Sequence, residues 1–248
     1  MAHSPLEQFV IKDLIPIHAA GYNLSFTQSA LWMMIGVVLA TALMTLPMRG
    51  RAVVPGRWQN LSEMLYEFVF GIANENLHAE ARKYFPFVFS LFMLVLMGNL
   101  LGLVPYSFTY TSHIIVTGAL ALLVFFVSTL IGFAKHGLHF FSIFTPPGLP
   151  FVMYFLIVPI EIISYLSRPL SLAVRLFANM TAGHTMLKVF AGFSVSMLGI
   201  AYVGPVAGII PVLVNVALLG LELMIAFIQA YVFAILTCIY IKSSLELH

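Results

Sequence analysis

Long uncharged runs separated by short polar clusters set the plan of this 248-residue chain. Residues 30–48 carry no charge. A span needs about 20 residues to cross about 30 Å of hydrocarbon, so this run predicts a first one. Residues 1–29 mix His3, Glu7, Lys12 and Asp13 with Pro5 and Pro16. They read as an outer N-terminal segment, without the basic start and apolar stretch of a cleaved leader. Over 58–80, Leu61, Leu65, Phe68, Ile72 and Leu77 recur at helical spacing against Glu63, Glu67, Asn74 and Glu75. That pattern predicts an amphipathic helix lying on the membrane surface. Residues 84–104 form a second span, with Pro86 in its first turn where a missing N–H is tolerated, and 114–134 form a third. A short polar connection from Pro105 to His113 joins them.

The rest of the chain does not divide into ordinary spans. Helical apolar periodicity runs through 149–193 and again through 206–243. At about 1.5 Å per residue each would exceed roughly 50 Å. One route is to kink at Pro159, Pro169 and Pro211. The other is to cross at more than about 40° from the membrane normal, beyond the usual range. The expected architecture is an all-α integral membrane protein of one domain: three ordinary spans, one amphipathic surface helix, and a C-terminal hairpin of two long, steeply inclined helices. Its turn falls near Tyr202 to Pro205.

Composition fits the bilayer as solvent, since 61% of residues are hydrophobic and 8% are charged. Soluble domains carry about 25% charged residues. With 11 basic and 9 acidic residues there is no basic field to attract nucleic acid. Basic residues instead report orientation. Arg49, Arg51, Arg57, Arg82, Lys83, Lys135 and Lys242 all fall on one side of five crossings, so the N-terminus is expected outside and the C-terminus in the cytoplasm. Cys238, the single cysteine, lies in an apolar run and reads as small-residue packing. His136 and His139, at a span edge, read as solvated loop imidazoles, and no metal or cofactor is expected.

Against that apolar background the two long helices carry Glu161, Arg168, Arg175, His184, Lys188 and Glu222, with amides at Asn179, Asn215 and Gln229. A charge at bilayer depth costs several kcal/mol, so such residues face a polar cavity or a partner and mark an ion path. Glu161, Arg168 and Arg175 recur every seven residues, and Glu222 and Gln229 share that spacing. Seven residues on a helix return to within ~20° of the same face. Facing residues of an antiparallel pair have a nearly constant number sum. His184 with Glu222 and Arg175 with Gln229 nearly share one, which brings these side chains to matching heights. Nine residues separate Arg175 from His184, so on a straight helix one points outward and the other inward.

The run from Ser171 through Arg175, Asn179 and Gly183 to His184, SLAVRLFANMTAGH, resembles the signature helix of the a subunit of the membrane (Fo) sector of F-type ATP synthase. Glu222 followed by Gln229, and Asn99-Leu-Leu-Gly-Leu-Val-Pro105, extend the likeness to nearly the whole chain. His at 184 with Glu at 222 is similar to the alphaproteobacterial and mitochondrial arrangement. The resemblance implies a proton-conducting stator subunit of the bacterial inner membrane. Its partners would be a ring of c subunits, b-type peripheral stalk subunits and the remaining ATP synthase subunits, and nucleotide chemistry would lie in those others. It implies that Arg175 faces the ring and blocks leakage, and that Glu222, His184 and Asn179 line an outer half-channel. Glu161 would serve an inner half-channel, and Gln229 would lie near Arg175. The chain itself has no Gly-rich loop followed by Lys-Ser or Lys-Thr to hold a nucleotide.

Other readings meet specific obstacles. A stand-alone secondary ion transporter would show matching interrupted helices in two repeats, and the halves share no such pattern. A haem-binding redox subunit would need a second deep histidine opposite His184. Arg168 and Lys188 retain the plainer reading of basic side chains that snorkel to the interfaces.

Overall fold

The computed structural model describes residues 10–16, 18–19, 22–23, 25–50, 52–104, 107–145, 151–198 and 208–246. The turn expected near Tyr202 to Pro205, together with Arg51 and Pro105, lies outside them. Among the described residues six α-helices carry the fold: α1 Gln28–Thr45, α2 Arg57–Leu77, α3 Ala81–Gly102, α4 Ile114–His136, α5 Phe151–Leu198 and α6 Ile209–Leu245. Short 3₁₀ turns lie at Pro47–Gly50, His78–Glu80, Tyr110–Ser112 and Gly137–Phe144. The N-terminal segment adds two small antiparallel ladders, Asp13–Ile15 (β1) with Phe26–Thr27 (β4) and His18–Ala19 (β2) with Tyr22–Asn23 (β3). No strand was expected there, since pairs of two or three residues leave no readable alternation.

Several boundaries have local causes. α2 ends where His78 adopts a positive φ of 47° and its N–H caps Asn74 O, which breaks the helical path before α3 resumes at Ala81. Because α3 starts earlier than 84, Pro86 is its sixth residue and not part of its first turn. Its ring removes one backbone hydrogen bond, and Ser90 Oγ donates to the Pro86 carbonyl nearby. α5 runs unbroken through Pro159 and Pro169, whereas Pro211 sits in the first turn of α6. These helices have 48 and 37 residues. At about 1.5 Å per residue they are roughly 72 and roughly 55 Å long. Neither can stand upright in about 30 Å of hydrocarbon. The exposed faces are apolar, as lipid requires: Leu122, Phe126 and Leu130 on α4, Phe155, Ile163 and Leu166 on α5.

The chain forms two compact units; α1, α3, α5 and α6 contribute to both, α2 and α4 to the second alone. The first comprises Met1–Ala42, Leu94–His113 and Leu176–Ala230. Its anchor is Tyr110, which is fully buried and donates through Oη to Leu94 O at 2.9 Å. Gly98 makes room for that ring, since a Cβ there would lie 2.5 Å from Tyr110 Cζ and Oη. Gly98→Ala is therefore expected to overpack this site and cost about 1–3 kcal/mol. A thermal melt of the purified protein checks this, and an unchanged midpoint would contradict the packing account.

The second unit comprises Leu43–Met93, Ile114–Arg175 and Tyr231–His248. Here α2 buries Val69, Ile72, Ala73 and Leu77, together with Ser62, whose hydroxyl donates to Leu43 O. Leu61 and Phe68, on the apolar face expected of a surface helix, are partly exposed. Gln59 and Ser62 hold the residues before α2, Gln59 through the backbone of Ala52 and Ser62 through Leu43 O. An aromatic cluster of Phe140, Tyr165, Phe125 and Phe144 ties α4 to α5, with Thr129 and Tyr165 hydroxyls 2.7 Å apart. Cys238 is fully buried in α6. His136 is not a solvated loop imidazole: its Nε2 contacts Leu245 O at 2.9 Å and satisfies a carbonyl at the end of α6.

Candidate functional site

Two sequence-expected residues meet inside the first unit. His184 on α5 and Glu222 on α6 are both buried, and His184 Nδ1 lies 3.4 Å from Glu222 Oε1. Neither carboxylate oxygen has an aligned hydrogen-bond donor among the described residues. Gly183 permits this approach: a Cβ there would lie 2.7 Å from Oε1 and 3.0 Å from Cδ of Glu222. Any larger residue before His184 would push the carboxylate away from α5.

The connection between α3 and α4 completes the imidazole's surroundings. Thr109 Oγ1 lies 3.0 Å from His184 Nε2, and Thr109 also contacts Gly102 O at 3.4 Å. Ser112 donates to Thr109 O, and Thr181 on α5 donates to Ser112 O, so the connection is bonded to α5. Sequence reasoning passed over Thr109. The available signal was that the connection at 107–113 holds Ser107, Thr109, Thr111 and Ser112 and no Asp, Glu, Lys or Arg. Such a loop can be packed inside protein where a charged one could not.

More polar groups surround this pair within the same unit. Asn99 Nδ2 donates to Ala226 O, one turn beyond Glu222, and its Oδ1 is buried without a hydrogen-bond partner. A cleft of about 570 Å³ opens among Leu103, Leu187, Lys188, Ser194, Asn215 and Leu219. Its walls begin one turn along α5 and α6 from His184 and Glu222, and Asn215 Oδ1 is likewise buried and unbonded. Gln229 is buried two turns further along α6, and Asn179 is half-buried.

The other expected residues belong to the second unit. Arg175 is exposed on α5 and pairs with no carboxylate among the described residues, while His184 on the same helix is buried. Glu161 is half-buried without an ion pair among the described residues. Arg168 is held between the rings of Tyr165 and Tyr240, 5.0 and 5.6 Å from their centroids, with Nη1 donating to Ser243 Oγ at 3.4 Å. That arrangement ties α5 to α6 and is a structural use of the cation.

The sequence matches the ATP synthase A chain family over residues 30–242. The chain belongs to that family. Among relatives, "ATP synthase subunit a" of Mesorhizobium japonicum is 55% identical, over 98% of this chain and 96% of its own length. The proteins of that name from Rhodospirillum rubrum and Paramagnetospirillum magneticum are each 52% identical, over 99% of this chain and 100% and 99% of theirs. Family membership makes the five long apolar helices among the described residues those of an integral membrane protein.

Proposed function

We propose that this chain is the proton-conducting stator subunit of an F-type ATP synthase and that the cleft, Asn215, Glu222 and His184 form the outer part of its proton path. The observation that carries this reading is the buried His184–Glu222 contact, His184 being on the helix that also presents an exposed Arg175. A carboxyl group and an imidazole can each take up and release a proton, and the unbonded oxygens of Glu222, Asn99 and Asn215 are places for water to bridge them. Asn179 and Gln229 add amides beside the same route.

Arg175 works by a different principle. A guanidinium keeps its proton at any ordinary pH, so it cannot pass one on, and it bars direct flow between the two half-channels. Facing a ring of c subunits, its field favours the ionised form of each arriving ring carboxyl and so promotes proton release. Glu161 then serves the inner half-channel, by which the proton leaves. Nothing in this sequence of steps requires nucleotide to touch the chain, and ATP chemistry falls to other subunits.

The orientation proposed has the N-terminus outside and the C-terminus in the cytoplasm of a bacterial inner membrane. It is supported by the basic residues that flank the apolar helices, Arg49, Arg57, Arg82, Lys83, Lys135 and Lys242, against the absence of Lys and Arg from the connection at 107–113. A copurification tests the whole reading. The chain is expected to come out of detergent with a c ring and b-type stalk subunits, and vesicles of that complex should make ATP after an acid-to-base jump. A chain that purifies alone and carries a solute by itself would establish the transporter reading instead.

A further inference from the structure

We infer that Thr109 is a positioning residue for proton transfer: its hydroxyl, 3.0 Å from Nε2, holds the His184 imidazole facing Glu222 and serves both of its protonation states. This inference rests on the proton path proposed above.

The geometry is that of a three-membered chain. Glu222 Oε1 is 3.4 Å from Nδ1 on one side of the ring, and Thr109 Oγ1 is 3.0 Å from Nε2 on the other. The three residues come from α6, α5 and the connection before α4, so no one element fixes the ring alone. All three are buried, at 3%, 8% and 8% exposure for Glu222, His184 and Thr109, so water cannot freely replace a missing partner. Of charged groups near the ring, α6 supplies Glu222 and α5 supplies Lys188 one turn on, at the wall of the cleft. The connection, which bears no Asp, Glu, Lys or Arg and has His113 at its end, contributes the neutral Thr109 hydroxyl.

A hydroxyl suits this place because it both donates and accepts. When the only ring proton is on Nδ1, the nitrogen 3.4 Å from Glu222 Oε1, Nε2 is an acceptor and takes the Thr109 O–H. When a proton arrives at Nε2, the hydroxyl turns: Oγ1 accepts from Nε2–H, and its own proton points to Gly102 O at 3.4 Å. The ring can then hand its Nδ1 proton to Glu222 without swinging away. Valine has nearly the same shape but offers Nε2 no hydrogen bond in either state. The loss is larger for the charged ring, whose hydrogen bond is charge-assisted.

The experiment uses the whole complex reconstituted in liposomes, with proton flux and ATP synthesis normalised to assembled protein. Thr109→Val is expected to lower proton flux roughly tenfold, the scale of one lost hydrogen bond, and to move its pH profile towards acid. Thr109→Ala should do the same, which separates the hydroxyl from any crowding by valine. Thr109→Ser should restore flux to within about threefold of wild type, since it returns the same donor and acceptor. On a His184→Ala background, Thr109→Val should add nothing further. A wild-type rate and pH profile in both Thr109→Val and Thr109→Ala would overturn the inference, as would a serine variant as impaired as valine. Unimpaired flux in His184→Ala alone would instead remove the underlying path.

Discussion

Arg175→Gln is expected to abolish proton-driven ATP synthesis, lowering it at least about a hundredfold, the scale of removing one preorganised electrostatic group. The variant keeps a polar side chain, and Arg175 is exposed and makes no ion pair with described residues, so folding and assembly should survive. What disappears is a permanent charge. Without it, a ring carboxyl has no cation to favour its ionised form, and the barrier between half-channels is gone. Synthesis should therefore fall while passive proton uptake into vesicles, driven by a potassium diffusion potential, rises. Arg175→Lys should recover little, because an ammonium can surrender its proton when desolvated and cannot present a planar fork to a carboxylate. Full synthesis in the glutamine variant would end the proposed role.

Glu222→Gln is the second large effect expected, a loss of about 10²- to 10⁴-fold in proton-driven synthesis, the range for removing a positioned proton-transfer group. The amide has the shape of the acid but cannot take up and release the proton. Stability should move the other way or not at all. Both carboxylate oxygens are buried without an aligned donor, so removing the ionisable group removes a desolvation cost. An unchanged or higher melting midpoint beside a collapsed rate would mark Glu222 as held for function. Wild-type flux would take it out of the path, and a large drop in the midpoint would make it a structural partner of His184.

The proposed site was legible in proportion to how far it lies along single helices. The charges of α5 and α6 stood out because an apolar run makes every ionisable residue conspicuous, and the nine-residue offset between Arg175 and His184 gave their opposite faces. The His184–Glu222 level followed from an antiparallel register. Thr109 was not legible, since a hydroxyl in a connection carries no period and no charge. Arg168 was likewise open between snorkelling and function until Tyr165, Tyr240 and Ser243 were found around it. The contact of His136 is illegible for a related reason: the carbonyl it meets belongs to Leu245, 109 residues later.

The sequence by itself determined the solvent, the number of long apolar helices and the ionisable residues they carry, because hydropathy and helical period are local properties that a lipid environment enforces strictly. Only the tertiary structure decided which side chains meet: that Gly183 admits the Glu222 carboxylate, that Thr109 closes on the far nitrogen of His184, and that Arg168 is enclosed by rings. Those contacts depend on backbone paths between residues far apart in the chain, and distances of about 3 Å are set by packing, which no period records.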